Sequence, residues 1–199
     1  MLRLLDIVFS SLGLVAASPL LLASAIAIRL QSPGPVLFRQ YRVGRNREPF
    51  TCLKLRTMRT GTKIGPSHEV GAATITSIGR LLRRSKLDEL PQLWNVLTGD
   101  MSLVGPRPCL PSQRELISER QLRGLHRVRP GVTGPSQLAG VDMSEPVRLA
   151  TLDAEWLRMM SVRAYLRILW LTVLGGGSGD AAAAVRAEGG SGDKLSEIP

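Results

Sequence analysis

The stretch Ile7 to Ile28 (IVFSSLGLVAASPLLLASAIAI) lies between Asp6 and Arg29 and contains 22 consecutive uncharged residues. As a helix rising about 1.5 Å per residue it is long enough for a hydrocarbon core of about 30 Å. A chain of 199 residues supplies one domain's worth of core, so lipid is the natural solvent for this segment. A cleaved signal peptide fits poorly, because Arg3 is offset by Asp6. Ser18-Pro19 falls near the middle. Pro19 removes a backbone donor and its ring crowds the preceding turn, while the Ser18 hydroxyl can bond a carbonyl so freed. Two topologies follow, a kinked spanning anchor or a re-entrant helix-break-helix hairpin that enters and leaves on one face. In either, the Arg-rich chain after Ile28 belongs in the cytosol.

That Arg-rich chain carries the charge. The protein has 26 Lys and Arg against 16 Asp and Glu, a formal +10. Between Arg29 and Lys86, 13 basic residues face only Glu48 and Glu69. Arginine forks suit phosphate. Aromatic residues for base stacking are few and no nucleic-acid-binding motif is present, so nucleic acid is not expected as a partner; anionic lipid or a nucleotide diphosphate remains. Two distant cysteines, Cys52 and Cys109, exclude a disulfide framework, and two histidines exclude a multi-histidine metal site.

The pattern predicts an α+β chain, mainly α. VLFRQYRV and FTCLKLRTM, joined by GRNREP, read as a basic β-hairpin. Residues 61–71 read as a loop and Ile78 to Arg84 as a short helix weakened by Gly79. Leu90, Leu93, Trp94 and Leu97 form one helical face ending at Thr98-Gly99, with Asp88 as N-cap and Pro91 in the first turn. Ser112 to Leu125, Leu149 to Met160 and Val162 to Leu174 are further helices, the last a core helix or one docked at the membrane interface; residues 130–135 read as a tight turn. Three regions result: a membrane helix over 1–30, a domain over 31–174 expected in the cytosol, and a flexible Gly/Ala-rich tail over 175–199.

Asp88-Glu89 follows Arg80, Arg83, Arg84 and Lys86 directly. Such a pair caps a helix and makes surface ion pairs. Equally, a carboxylate near cations can attack phosphorus while its neighbour helps hold Mg²⁺ with substrate phosphate oxygens.

KLDELPQLWNVLTGDMSLVGPRP, Lys86 to Pro108, resembles the signature of the bacterial sugar transferases, the small monotopic polyprenyl-phosphate phosphoglycosyl transferases. LLDIVFSSLGLVAASPLLL, GPVLFRQYRVGRNREPFTCLKLRTM, TSIGRLLRRSKLDELPQ and HRVRPGVTG agree in order, so the resemblance covers Leu2 to Leu174. It implies a re-entrant membrane helix broken at Ser18-Pro19, with short amphipathic helices at the interface of the inner membrane and the domain facing the cytosol. It implies transfer of a sugar-1-phosphate from a UDP-sugar to polyprenyl (undecaprenyl) phosphate with Mg²⁺ and release of UMP, initiating glycoconjugate synthesis. By resemblance Asp88 is the nucleophile, forming a phosphosugar-aspartate, and Glu89 its partner for metal or lipid phosphate. Lys54 and Arg56 would hold the acidic pair or phosphates, Arg83 and Arg107 would bind phosphate, and Arg129 would lie near the nucleotide. Gly134-Pro135-Ser136-Gln137 replaces the usual Gly-Trp-Ala-Gln, which bears on substrate recognition. Direct transfer in a ternary complex and a non-catalytic scaffold on anionic membrane are the alternatives.

Overall fold

The computed structural model describes residues 1–61 and 75–174; the expected loop over 61–71 lies almost wholly, and the expected tail over 175–199 wholly, outside the described residues. The chain is mainly helical, with two small two-stranded sheets. Helix α1 spans Leu2–Gln31. Strands β1 (Leu37–Val43) and β2 (Pro49–Leu55) pair antiparallel as the expected hairpin, with a 3₁₀ turn at Arg45–Arg47. Helices α2 (Ser77–Arg84) and α3 (Gln92–Thr98) follow, then β3 (Ser102–Val104), α4 (Arg114–Leu122), β4 (Gly131–Thr133), α5 (Pro135–Leu138), α6 (Pro146–Arg158) and α7 (Val162–Val173).

Helix α1 has the polarity of a soluble helix turned inside out. Its most buried residues are Asp6, Ser10, Ser24 and Ile28, whereas Leu4, Leu12, Val15, Leu22 and Leu30 are exposed. Its mean hydropathy reaches 2.0 over an 18-residue window. The inward face docks through small and polar groups: a Cβ on Gly13 would stand 3.1 Å from Leu93 Cδ1. Arg3 donates to the carbonyls of Val96 (2.5 Å) and Leu97 (2.9 Å) at the end of α3. Asp6 accepts from the Leu103 amide (2.8 Å), the Ser102 hydroxyl (3.0 Å) and the Tyr165 hydroxyl. At the other end Ile28 packs with Leu55 and Leu82, and Gln31 Oε1 accepts from the Ile78 amide at 3.0 Å. Both ends of α1 are therefore fastened to the same folded body.

The expected interruption at Ser18-Pro19 is not a gap in the helix: helical geometry runs through Pro19. The missing Pro19 N–H leaves the Val15 carbonyl without its usual donor, and the Ser18 hydroxyl supplies one at 2.8 Å.

The main core joins the hairpin (Phe50, Cys52), α3 (Leu93, Val96), Met101 and β3, and α6–α7 (Trp156, Tyr165, Ile168), with Leu2, Leu5 and Leu14 of α1 laid on it. A second cluster packs α4 against α6 through Leu116, Leu149 and Ala150. Two expectations change. The run 130–135 is not only a turn, because Gly131–Thr133 pairs in parallel with Ser102–Val104. The helix after the acidic pair begins at Gln92 with Pro91 as its N-cap residue, so Leu93 and Val96 face the core and Trp94 is exposed.

Candidate active site

Asp88 is not a helix cap. It sits in a 3₁₀ turn, Leu87–Glu89, closed by Glu89 N–H donating to Lys86 O (3.2 Å) and Leu90 N–H to Leu87 O (3.3 Å). Lys86 enters this turn at φ 58°, a left-handed conformation costing a side-chain-bearing residue about 1–2 kcal/mol. The Pro91 ring ends the turn and starts α3. Successive residues of a 3₁₀ turn diverge by about 120°, yet Lys54 and Arg107, which pair with Glu89, also act on Asp88.

Glu89 takes two cations on one oxygen. Lys54 Nζ, from β2, lies 2.9 Å from Oε1, and an Arg107 terminal nitrogen lies 2.8 Å from the same atom. All three side chains are mostly buried, where an ion pair is screened less than at the surface. Asp88 is 8% exposed. Burial, reinforced by the Glu89 charge, pushes its carboxyl up to about 6, against the opposing pull of Lys54, Arg83 and Arg107. It is ionised at neutral pH yet more basic than an ordinary aspartate.

The scaffold of this cluster is long-range. Lys54 is near the end of β2, and α2 packs on the chain just beyond it so closely that a Cβ on Gly79 would lie 2.0 Å from Thr57 O. Glycine, a weak helix former, is thus required at that contact. The same contact sets Arg83 Nε 2.9 Å from Thr57 Oγ1. Arg107 follows β3 in the Gly105-Pro106-Arg107-Pro108 loop. That loop is stitched to β4: Gly105 N–H donates to Thr133 O and Gly131 N–H to Pro106 O, each at 2.9 Å. Arg42 of β1 holds Pro108 O at 2.9 Å.

Three of the five basic residues singled out from the sequence, Lys54, Arg83 and Arg107, thus act on the acidic pair. Arg56 and Arg129 are placed otherwise. Arg56 is buried and donates to Ser32 O (2.5 Å) and Pro33 O (2.8 Å), fixing the exit of α1. Arg129 Nε donates to Gly99 O at 2.7 Å, just past α3.

Sequence reasoning missed Asn95. Its side-chain amide edges β2 like a short strand, accepting from Leu53 N–H (3.0 Å) and donating to Thr51 O (2.8 Å). Asp100 accepts a further bond from it at 3.3 Å. Asn95 thereby locks the strand that carries Lys54 to the helix that follows Glu89. An asparagine on the buried side of an apolar helix was the available signal.

A buried, moderately basic carboxylate among phosphate-suited cations is equipped to attack phosphorus. The profile of the family described as bacterial sugar transferase matches residues 1–176, and the chain belongs to that family. It is similar to the UDP-glucose:undecaprenyl-phosphate glucose-1-phosphate transferase of Caulobacter vibrioides, at 41% identity over 86% of this chain and 67% of that protein. The Escherichia coli protein of the same name is also 41% identical over 86% of this chain, which spans only 39% of it. The exopolysaccharide production protein PSS of Rhizobium leguminosarum is 44% identical over 70% of this chain and 74% of its own length.

Proposed function

We propose that the protein is a membrane-embedded phosphoglycosyl transferase that moves a sugar-1-phosphate from a UDP-sugar to undecaprenyl phosphate and releases UMP. The observation that carries this reading is Asp88, buried beside Glu89 and under the charges of Lys54, Arg83 and Arg107, in a chain whose relatives are named for this transfer.

In the first half-reaction an Asp88 carboxylate oxygen forms a bond to the β-phosphorus of the UDP-sugar. The bond from that phosphorus to the α–β bridging oxygen breaks, and its electron pair leaves with UMP. In the second, an oxygen of undecaprenyl phosphate attacks the same phosphorus and Asp88 departs as the carboxylate. Arg107 and Arg83 neutralise charge on the transferred phosphoryl group, and Lys54 with Arg107 holds Glu89 in place.

The donor set suits Mg²⁺. Two hard carboxylates on one turn match an ion that takes one or two protein carboxylates and completes its shell with substrate phosphate and water. Among the described residues no group of three or more His, Cys, Asp or Glu gathers to hold a metal, so diphosphate oxygens have to supply the remainder. When bound by Asp88 and Glu89, the ion would screen the diphosphate charge.

Membrane attachment is proposed to be re-entrant, with the domain on the cytosolic face of the inner membrane. Supporting this, Arg3 and Asp6 at one end of α1 and Gln31 at the other hydrogen-bond to the same body, and Ile28 packs on it. Exposed Leu166, Trp170 and Val173 on α7 would rest at the interface. The likeness to an exopolysaccharide production protein supports a place at the start of polysaccharide assembly.

Incubation with labelled UDP-sugars, each with Mg²⁺ and no lipid acceptor, tests the covalent step. A phosphosugar on Asp88 by mass spectrometry, and exchange of labelled UMP into the UDP-sugar, are expected. Turnover with lipid but no exchange without it would establish direct transfer instead. For topology, Leu4→Cys and Leu30→Cys are both expected to label only from the cytosolic face; labelling of either from the periplasm overturns the re-entrant attachment.

A further inference from the structure

We propose that Arg120, Asp153 and Ser136, a buried cluster outside the acidic site, form a positioning unit that sets Arg107; the inference deepens the phosphotransfer reading and rests on it. Asp153 is wholly buried and Arg120 is 4% exposed. Arg120 spans two jobs with its two terminal nitrogens. One lies 3.2 Å from Asp153 Oδ2, and the other donates to the main-chain oxygen of Arg107 at 2.7 Å. Ser136, at the start of α5 and also fully buried, donates to the other Asp153 oxygen at 2.9 Å. Arg107 then reaches Glu89 Oε1 at 2.8 Å. The path runs from α5 and α6 through α4 into the loop that presents Arg107, and ends on the acidic turn.

An ion pair in this place is not explained by stability. Burying both charges costs several kcal/mol per ion, and apolar side chains of like volume often serve a fold as well or better. Arg120 Nε, also buried, has no hydrogen-bond partner among the described residues, so the pair is not even fully satisfied. What an apolar replacement cannot do is donate to the Arg107 carbonyl. The neighbouring backbone groups of the loop are already claimed by β4 and by Arg42. Arg120 adds the bond at the residue whose side chain works. Asp153 keeps the Arg120 fork pointed there, and Ser136 orients Asp153. Ser136 lies in the Gly134-Pro135-Ser136-Gln137 segment, where the sequence departs from the pattern it otherwise resembles, and the hydroxyl gives that departure a role.

The test is the full-length double variant Arg120→Met/Asp153→Leu, which removes both charges together. It is expected to melt within a few degrees of wild type, to lose at least 10-fold in kcat for UMP release with KM for the UDP-sugar within threefold, and to show faster amide exchange in the 103–109 peptide. In an Arg107→Ala background the same double change is expected to lower kcat no further, which a general loss of packing would not reproduce. Ser136→Ala, which leaves the ion pair intact, is a milder arm: a two- to fivefold loss in kcat with a melting temperature lowered by no more than a few degrees is expected. Wild-type kcat and wild-type exchange in the double variant, or in Ser136→Ala if the double variant does not fold, overturn the proposal. A wild-type protein that releases no UMP from any UDP-sugar overturns the functional reading instead, and the exchange measurement still decides whether the cluster sets the loop.

Discussion

Lys54 Nζ lies 2.9 Å from Glu89 Oε1, so the end of the second hairpin strand is tied directly to the acidic pair 35 residues later. Arg107 occupies the same oxygen. Two cations on one acceptor are coupled. Lys54→Met and Arg107→Ala are each expected to lower the rate of UMP release by about 10²-fold or more, and the double variant to lose clearly less than the product of the two. A double-mutant cycle on steady-state UMP release measures this; strictly multiplicative losses would show that the two cations act independently.

Asp88 binds its proton more tightly in the folded chain, at about 6 against an ordinary 3.8. Its ionisation therefore opposes folding: stability falls as pH rises through that window, and the full cost of about 3 kcal/mol stands above it. Asp88→Asn is expected to be inactive yet more stable than wild type at pH 7.5, by up to that amount, with the advantage gone below about pH 4. Denaturant titrations at the two pH values check the sign. In the active protein, kcat/KM for the UDP-sugar is expected to fall on the acid side with an apparent pKa near 6, since Asp88, the proposed nucleophile, must be ionised in the free enzyme.

Asn95 satisfies both a donor and an acceptor of β2. Asn95→Ala leaves those backbone groups without their partner, and a loss of about 2–3 kcal/mol in stability is expected. Asn95→Asp keeps the acceptor for Leu53 N–H but sets an oxygen against Thr51 O and a second carboxylate near Asp100. It is expected to be at least as damaging at pH 8 and less so at pH 4, read from thermal melts at both.

Arg56 is engaged by the exit of α1. Arg56→Lys loses the fork that holds Ser32 O and Pro33 O together. A melting temperature several degrees lower, with KM for the UDP-sugar within twofold of wild type, is expected. A large rise in KM at unchanged stability would return Arg56 to the substrate.

The readable parts of the sequence were those with local period. The hairpin showed in runs rich in β-formers around GRNREP, and α2, α6 and α7 lie where short helices were expected, over Ile78 to Arg84, Leu149 to Met160 and Val162 to Leu174. Misread parts depended on partners far along the chain. A three-residue strand such as Gly131–Thr133 leaves no period of its own and exists because Ser102–Val104 lies beside it. Pro91 looked acceptable inside a helical turn, but the turn before it closed as 3₁₀ from a left-handed Lys86. The acidic pair and the cations near it stood out by charge alone. Which arginines face that pair did not, because Arg83, Arg56 and Arg129 are sorted by carbonyls and hydroxyls that only the fold brings near.

The inside-out polarity of α1 bears on how such a protein can be handled and rearranged. An anchor that merely tethers can be trimmed away or exchanged for another. Here a fragment beginning after Gln31 would leave the Leu103 amide and the Tyr165 hydroxyl without the Asp6 carboxylate, and Leu93 without its cover. This long apolar helix is also a wall of the folded body, so a truncated version is expected to aggregate. Exchanging α1 for another apolar helix would remove the same contacts.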